Sequence, residues 1–243
     1  PICLPLLAGS LLIALGPPAI FLVTTVSRRP YLIIALLFGL LHGIASMLIG
    51  GVVHSIWNIW TTPSSLVLLL LNIFTLELLR PFAYQLIATI CEKLNRVNIP
   101  LSLSSPTEVF KLSVCYGLGI GFLNGLSISL VPLTSAGQNA DFYAPHCNCM
   151  SIYILVALEC LLLMPMHVAW TYYTMSDYPT KSNSVPLIIT CWHIIVGVST
   201  LFPSCIVTLI VFSLSALLAL ILTSRKVAAS AHLMKPVDRK SVV

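Results

Sequence analysis

The segment YGLGIGFLNGLSIS, residues 116–129, contains three glycines at intervals of four: Gly117, Gly121 and Gly125. In a helix surrounded by water, each glycine costs about 1 kcal/mol relative to alanine. Residues four apart lie close together on one face of a helix, so a helix here carries all three glycines on one side. Whether that side is a defect or a useful surface depends on the solvent around the helix.

The composition of the chain identifies that solvent as lipid. Of the 243 residues, 58% are hydrophobic and only 8% are charged, and the mean hydropathy is +1.02. Soluble domains contain about 25% charged residues, so this chain is too poor in charge to cover a water-facing surface. We therefore predict an all-α, polytopic protein of the lipid bilayer without a sizeable soluble module. The net charge of +5 is explained by membrane topology and does not indicate nucleic-acid binding.

Seven segments are long and apolar enough, or nearly so, to cross a bilayer, which takes about 20 apolar residues. The last two are separated only by Phe202-Pro203-Ser204, so one long kinked segment is the alternative. Proline breaks a helix, and roughly 37 residues are too many for one span, so two spans are predicted. The seven predicted spans are about 3–26, 31–56, 64–88, 108–131, 151–175, 186–202 and 204–223.

The basic residues predict the orientation of the chain. Seven alternating spans place all twelve lysines and arginines on one side, which the positive-inside rule makes cytoplasmic. The amino end is then luminal or extracellular, and the carboxyl end is cytoplasmic. We expect a seven-helix transmembrane domain over 1–226 and a cytoplasmic tail over 227–243. The basic residues are Arg28, Arg29, Arg80, Lys93, Arg96, Lys111, Lys181, Arg225, Lys226, Lys235, Arg239 and Lys240.

In lipid, the glycine row predicts close contact with another helix. Helices in a bilayer associate through close packing, and small residues let their backbones approach. Ser113 and Ser129 extend the row by one step at each end, so five small residues form a shallow groove. The spacing does not tell whether the neighbouring helix belongs to this chain or to a partner.

Ionisable side chains inside the predicted spans are the candidates for a polar site, because such groups are costly in lipid and face protein or water. His167 in helix five and His193 in helix six lie at similar depth on adjacent antiparallel helices. They could share a polar site or contact a common partner, or they could be unrelated, each bonded to a backbone carbonyl or hydroxyl. Glu159 lies near the middle of helix five and could pair with a neighbouring helix or be protonated. Glu77 and Arg80, three apart, can form an ion pair on helix three.

The inventory of reactive residues gives little support to catalysis by this chain. The only aspartates lie in loops or the tail, and no H-E-x-x-H motif occurs. Ser127 has the small-residue setting of a rhomboid-type nucleophile, and His193 is the available base. Their predicted depths differ, so a stand-alone intramembrane hydrolase, like a transporter, is kept only as an alternative.

The cysteines predict neither a metal site nor a cofactor. The sequence HCNC at 146–149 lacks a second pair of ligands. Cys3, Cys147, Cys149 and Cys205 fall on the predicted luminal side, where disulfides persist. A bridge from Cys147 or Cys149 to Cys3 is one option.

Taken in order along the chain, these features resemble the Aph (anterior pharynx-defective) subunit family of gamma-secretase. The resemblance rests on the glycine row and on six further matches. Three departures are the loop LTSAGQNADFYAPHCNCMS at 133–151, which lacks the family's glycine- and proline-rich pattern, Glu159 at an apolar position, and the short second loop. The matches are Gly16-Pro17 opening the first helix, Thr25-Val26 with Pro30, LELLRPFAYQL at 76–86, SLSSP at 102–106, His167-Val-Ala-Trp170, and His193 followed by Pro203.

The resemblance implies a non-catalytic scaffold. Such subunits hold presenilin, whose two aspartates cleave type I membrane proteins within the bilayer, beside nicastrin and the presenilin-enhancer subunit. Residue by residue, Gly117, Gly121 and Gly125 would form an assembly groove, and His167 and His193 a polar site stabilising the presenilin side. It also implies Notch signalling, and residence in the endoplasmic reticulum, Golgi and plasma membrane.

Overall fold

The computed structural model describes residues 4–27, 29–60, 64–96, 105–135, 143–144, 147–177, 184–202 and 204–233, with side chains excepted at 4–7, 129–149 and 231–233. Seven α-helices dominate this part of the chain, and one two-stranded antiparallel pairing joins the fourth helix to the fifth. The elements are α1 (Leu4–Phe21, continued by a π-helical turn, Leu22–Val26), α2 (Pro30–Asn58), α3 (Ser65–Arg96), α4 (Pro106–Ser135), β1 (Tyr143–Ala144), β2 (Cys147–Ser151), α5 (Ile152–Asp177), α6 (Ser184–Ser199) and α7 (Cys205–Leu233).

The predicted class, an all-α polytopic membrane protein, is confirmed. Six of the described helices are long and apolar enough to span a bilayer. The exception is α6, whose 16 residues extend about 24 Å against a hydrocarbon layer of about 30 Å. Large aliphatic side chains face outwards where soluble proteins place polar ones, as expected for lipid contact. On α2 and α7 these include Leu37, Leu41, Leu48, Ile206, Ile210, Leu214 and Leu217.

The last two predicted spans are separate helices. The α6 helix ends at Ser199, and Thr200–Phe202 form a turn. The hydroxyl of Thr208 donates to the Ser199 carbonyl at 2.8 Å, which satisfies one of the carbonyls left open at the end of α6. The alternative of one long kinked helix is therefore wrong.

Two helices extend furthest beyond the bounds predicted from hydropathy. The α3 helix continues to Arg96 and α7 to Leu233, because a helix does not have to stop where the apolar layer ends. An exposed Glu92–Arg96 pair at 2.6 Å, one turn apart, lies on the polar extension of α3.

The dipeptide Gly16-Pro17 lies inside α1 and does not open it. Pro17 and Pro18 both remove backbone donors, and the π-helical turn begins one helical turn later, at Leu22. Prolines in membrane helices are tolerated where neighbouring groups and π-type adjustments compensate for the lost bonds.

The core is centred on α4 and α5, which pack together along most of their length. One apolar cluster joins α4 to α2 and α3 and includes the fully buried Tyr116 and Ile120. A second joins α5 to α6 and α7 and is built around Trp170, which is also fully buried. The central pair therefore separates two apolar halves and is itself screened from lipid.

Cys205, at the first turn of α7, is disulfide-bonded, and its partner lies outside the described side chains. Cys91, Cys115, Cys160 and Cys191 are free thiols. The predicted bridge between Cys3 and Cys147 or Cys149 likewise lies outside the described side chains.

Candidate functional site

The glycine row of α4 faces α5 of the same chain. A Cβ atom at Gly117 would lie 2.6 Å from the Val168 Cα and 2.8 Å from the His167 carbonyl oxygen. At Gly121 it would lie 3.1 Å from the Met164 Cα. The α5 backbone thus fills the groove at Gly117 and Gly121, so the helix that packs against these glycines belongs to this chain.

Ser113 and Gly125 also join this interface through sulfur contacts. The Ser113 hydroxyl donates to the Val109 carbonyl at 2.7 Å and lies 3.2 Å from the Met175 sulfur. At Gly125, the Cys160 thiol donates to the glycine carbonyl at 3.1 Å. Ser129 lies in α4, but its side chain is outside the described part of the chain.

A second glycine contact, which sequence reasoning missed, lies on another face of α4. A Cβ atom at Gly39 of α2 would come 2.1 Å from the Tyr116 carbonyl oxygen, and one at Gly119 would come 2.4 Å from the Leu36 carbonyl oxygen. Gly39 and Gly43 are themselves four apart, so the signal that revealed the first row was present in α2 as well.

Glu77 and Arg80 form a bidentate ion pair inside the helix bundle. The Arg80 Nε and Nη2 atoms each donate to a carboxylate oxygen of Glu77 at 2.8 Å. Nη1 of Arg80 donates to the Thr171 hydroxyl of α5, also at 2.8 Å. His193 of α6 donates from Nδ1 to the Glu77 carboxylate at 2.8 Å. These four residues, the polar cluster, connect α3, α5 and α6.

The polar cluster is deeply buried, so breaking its ion pair should cost much of the free energy of folding. Only 7% of the Glu77 side chain and 3% of the Arg80 side chain are exposed. Removing one partner of a buried ion pair costs about 3–5 kcal/mol, because the other charge is left uncompensated. The cluster therefore holds three helices in one arrangement more firmly than an exposed pair could.

His167 lies beside the polar cluster but is not hydrogen-bonded to it. Its ring lies edge-on to that of His193, with centroids 5.4 Å apart, so the structure brings together the two histidines for which the sequence left a shared site open. The Trp170 ring lies 4.5 Å from His193 and 5.2 Å from His167. Both nitrogens of His167 are fully buried without a hydrogen-bond partner.

A further histidine supports the polar cluster from α2. His42 is bonded through Nε2 to the Leu76 carbonyl at 2.9 Å and through Nδ1 to the Tyr116 hydroxyl. Leu76 immediately precedes Glu77, so this contact fixes the turn of α3 that carries the ion pair. Neither His42 nor Tyr116 was a predicted site residue, since no local pattern connects them.

Glu159 lines a cavity of about 360 Å³ that also reaches His167 and His193. It has no salt-bridge partner among the described residues, so the pairing considered for it in the sequence is not seen there.

Ser127 and His193 line the same cavity without forming a catalytic pair. The Ser127 hydroxyl donates to the Leu123 carbonyl at 2.9 Å and lies 3.2 Å from the Met47 sulfur. His193 is engaged by Glu77. The described residues also contain no group of three or more histidine, cysteine or acidic side chains that could hold a metal ion.

Comparison with known proteins gives one family and one relative. The family described as Aph-1 protein matches residues 6–232. A protein of Arabidopsis thaliana named gamma-secretase subunit APH1-like is 24% identical over 205 residues, which cover 79% of this chain and 79% of the relative. The family match includes all seven helices except the first two residues of α1 and the last residue of α7.

Proposed function

Because the chain belongs to the Aph-1 family, we propose that it is a non-catalytic scaffold subunit of a gamma-secretase complex. In this function it holds presenilin in the bilayer and assembles it with nicastrin and the presenilin-enhancer subunit. Presenilin supplies the catalytic aspartates for cleavage of type I membrane proteins, including those of Notch signalling. This chain supplies a rigid surface and takes no part in bond cleavage.

The observation that carries the proposal is the polar cluster. Its ion pair joins two residues of α3. The pair is also hydrogen-bonded to Thr171 of α5 and to His193 of α6. A catalytic site needs a reactive group with freedom to act on a substrate, whereas here the charged groups bind one another. Buried polar networks that are satisfied in this way favour one arrangement of helices, which is what a scaffold requires.

The helix faces available to partners are apolar. The α1, α2 and α7 helices expose rows of large aliphatic side chains to the membrane. Either lipid or another transmembrane helix can cover such a face, because both are equally apolar. His167 is fully buried and His193 is 8% exposed, so their support of the presenilin side is indirect and acts through helix positions.

The proposed location is the endoplasmic reticulum, the Golgi and the plasma membrane, with the amino end luminal or extracellular. The disulfide at Cys205 supports this orientation, because disulfides persist in oxidising compartments and α7 would begin on that side. A reporter fused after Lys240 should be cytoplasmic and one inserted near Asn139 luminal. Opposite labelling of the two sites would contradict the orientation.

Co-purification tests the scaffold function directly. The tagged chain is extracted from its native membrane in mild detergent, and its partners are identified by mass spectrometry. Presenilin, nicastrin and the presenilin-enhancer subunit should be recovered together, with proteolysis depending on presenilin. Recovery of the chain without these subunits would contradict the proposal.

A matched pair of arginine variants tests whether assembly depends on the polar cluster. Arg80→Ala removes a buried partner, at about 3–5 kcal/mol, and should strongly reduce the recovered complex. Arg96→Ala breaks the exposed Glu92–Arg96 pair, whose side chains are 66% and 73% exposed, and should have little effect. Equal yields of complex from the two variants would show that assembly does not depend on the polar cluster.

The hydrolase alternative has one observation in its favour, the shared cavity of Ser127 and His193. Ser127→Ala should leave assembly and presenilin-dependent cleavage unchanged, because the scaffold function gives this hydroxyl no chemistry. Full assembly with loss of cleavage would favour a hydrolase instead.

A further inference from the structure

A cleft lies between α1 and α7, and α4 and α5 form its floor. Its volume of about 610 Å³ is within the roughly 300–1,000 Å³ that is typical of sites for small molecules. No charged side chain is among the described residues that line it. This α1–α7 cleft shares no lining residue with the cavity of Glu159, so the two are separate sites.

The walls of the α1–α7 cleft are stiff and apolar. Three prolines line it, Pro17 and Pro18 on α1 and Pro165 on α5, and a proline ring holds its backbone angle fixed. Large apolar side chains of α4, such as Phe110 and Leu118, cover the floor. A rigid ligand loses little conformational entropy when it binds, so a fused ring system fits this cleft better than a flexible chain.

One buried hydroxyl group in the cleft lacks a hydrogen-bond partner. Thr223 of α7 is 7% exposed, and its Oγ1 atom has no partner among the described residues. Ser224 and Ser230 of the same helix donate to carbonyls four residues earlier, at 2.7 and 2.9 Å. A buried hydroxyl without a partner destabilises the folded state. Thr223 therefore indicates a ligand that has a polar group at this position.

Ser224 supplies a complementary group beside Thr223. Its hydroxyl already donates to the Leu220 carbonyl, so it offers only lone pairs to the cleft. One wall thus presents a donor at Thr223 and an acceptor at Ser224. An alcohol satisfies both, because its hydroxyl accepts one hydrogen bond and donates another. An ester carbonyl or an ionised phosphate group only accepts, so it would leave the acceptor at Ser224 unused.

The charged side chains near these hydroxyls are already paired. Lys226, one helical turn beyond Thr223, pairs with Asp177 at the end of α5 at 2.6 Å. Lys111, in the first turns of α4, pairs with Glu108 at 2.6 Å. Both lysines therefore have carboxylate partners, which favours a neutral ligand over a phospholipid. The ion pairs also show that Thr223 lies close to the polar end of the bundle.

We propose that the α1–α7 cleft binds a membrane sterol such as cholesterol. The sterol hydroxyl accepts a hydrogen bond from Thr223 and donates one to Ser224, and the fused rings pack against the prolines of α1 and α5. Threonine has two side-chain rotamers in a helix, so the Thr223 hydroxyl can turn towards the ligand. The site does not rest on the scaffold function, since it concerns the lipid around the chain and not its protein partners.

Photoaffinity labelling in the native membrane tests the site, because protein partners stay bound there. The probe is cholestanol with a photoreactive diazirine in its ring system, and mass spectrometry of the purified chain locates the label. We expect label on the cleft residues of α5 or α7. Excess cholesterol should displace the probe. Phosphatidylcholine should not, and neither should the 3-epimer of cholesterol, whose hydroxyl points in a different direction.

Two tryptophan variants on α7 form a matched pair. Ser224→Trp fills the mouth of the cleft and should abolish the displaceable labelling. Ile221→Trp is the control, because Ile221 is 41% exposed and does not line the cleft. This variant should be labelled like the unmodified chain. Both positions are exposed, so neither change disturbs the core.

Thr223→Val tests the hydrogen bond without blocking the cleft, because valine has nearly the same shape. Loss of one hydrogen bond should weaken the displaceable labelling about 2–10-fold. In detergent without sterol, this variant should have a higher Tm than the unmodified chain, since a buried hydroxyl without a partner is removed. Added cholesterol should raise its Tm less than that of the unmodified chain, whereas a hydroxyl with a purely structural role would leave the increase unchanged.

Three results would overturn the proposal. Displaceable labelling that survives Ser224→Trp would place the sterol elsewhere on the chain. Equal displacement by the epimer or by phosphatidylcholine would indicate a groove for lipids in general. Label on the cleft of the purified chain, but not in the native membrane, would indicate that a partner helix covers the cleft.

Discussion

Two faces of α4 make close contact with neighbouring helices in different ways. Towards α5, the small residues lie on α4 alone, and α5 contributes side chains of ordinary size at Cys160, Met164 and Val168. Towards α2, glycines lie on both helices, and Gly39 meets the α4 backbone at Tyr116 and Gly119. The α2 contact is backbone against backbone, whereas the α5 contact becomes looser from Gly117 to Gly125.

The difference shows that glycine spacing alone does not measure how closely two helices approach. At Gly39 the obstructing atoms belong to the backbone of the neighbouring helix and cannot rotate away. At Gly125 they belong mainly to the Cys160 side chain, at 3.2 Å, which can move by a few tenths of an ångström. The two faces should therefore respond differently to the same added methyl group.

The largest effect is expected on the α2 face. Gly39→Ala places a methyl group 2.1 Å from the Tyr116 carbonyl oxygen, so α2 must move away from α4. We expect a loss of stability of about 3 kcal/mol or more, at the upper end of overpacking costs. Thermal unfolding in detergent measures it, and a Tm within 2 °C or so of the unmodified chain would show that the α2 contact is not tight.

The α5 face should give a graded series. Gly117→Ala, against the backbone of Val168, should cost about 1–3 kcal/mol, and Gly125→Ala should cost less than about 1. Adding Cys160→Ala to Gly125→Ala should recover part of the loss, because it removes the obstructing thiol. Equal losses at Gly117 and Gly125 would contradict the gradient along the interface.

His167 of α5 and His193 of α6 provide a test of whether their contributions to assembly are coupled. His167→Ala and His193→Ala should each weaken assembly, and the double variant should be little worse than the poorer single one. Residues in contact typically show coupling of about 0.5–3 kcal/mol, while distant ones add within about 0.5. The yield of intact complex for the four forms measures it, and strict additivity would indicate separate structural roles.

The smallest effect is expected at glycines that touch neither face. Gly16 and Gly51 have no atom within 4 Å of an added Cβ. Gly16→Ala and Gly51→Ala should change the free energy of unfolding by no more than about 0.5 kcal/mol. A large loss at either position would mean that glycine acts through backbone flexibility and not through packing, which would undermine the comparison of the two faces.

The sequence was sufficient to predict the helices and their number, because lipid requires long apolar segments. It also predicted that His167 and His193 lie at similar depth, since they are on adjacent antiparallel helices, but it left open whether they share one site. It could not predict that Glu77 joins His193, because the two are 116 residues apart and on helices that are not consecutive. The sequence also could not predict which helix packs against the glycine row, since a small residue indicates close approach but not the identity of the neighbour.

The lengths of the helices differ around the circumference of the protein. The α2 and α7 helices, each of 29 residues, extend about 44 Å, whereas α6 extends about 24 Å. Beside α6 the bilayer has to thin by about 6 Å, or water has to cover the ends of the helix. Since α6 carries His193 and Gly197 in the wall of the cavity that Glu159 lines, that cavity borders the thinnest part of the surrounding membrane. A thicker, sterol-rich bilayer would then strain the protein most on this side, so lipid composition acts on the polar cluster through the short helix that carries one of its members.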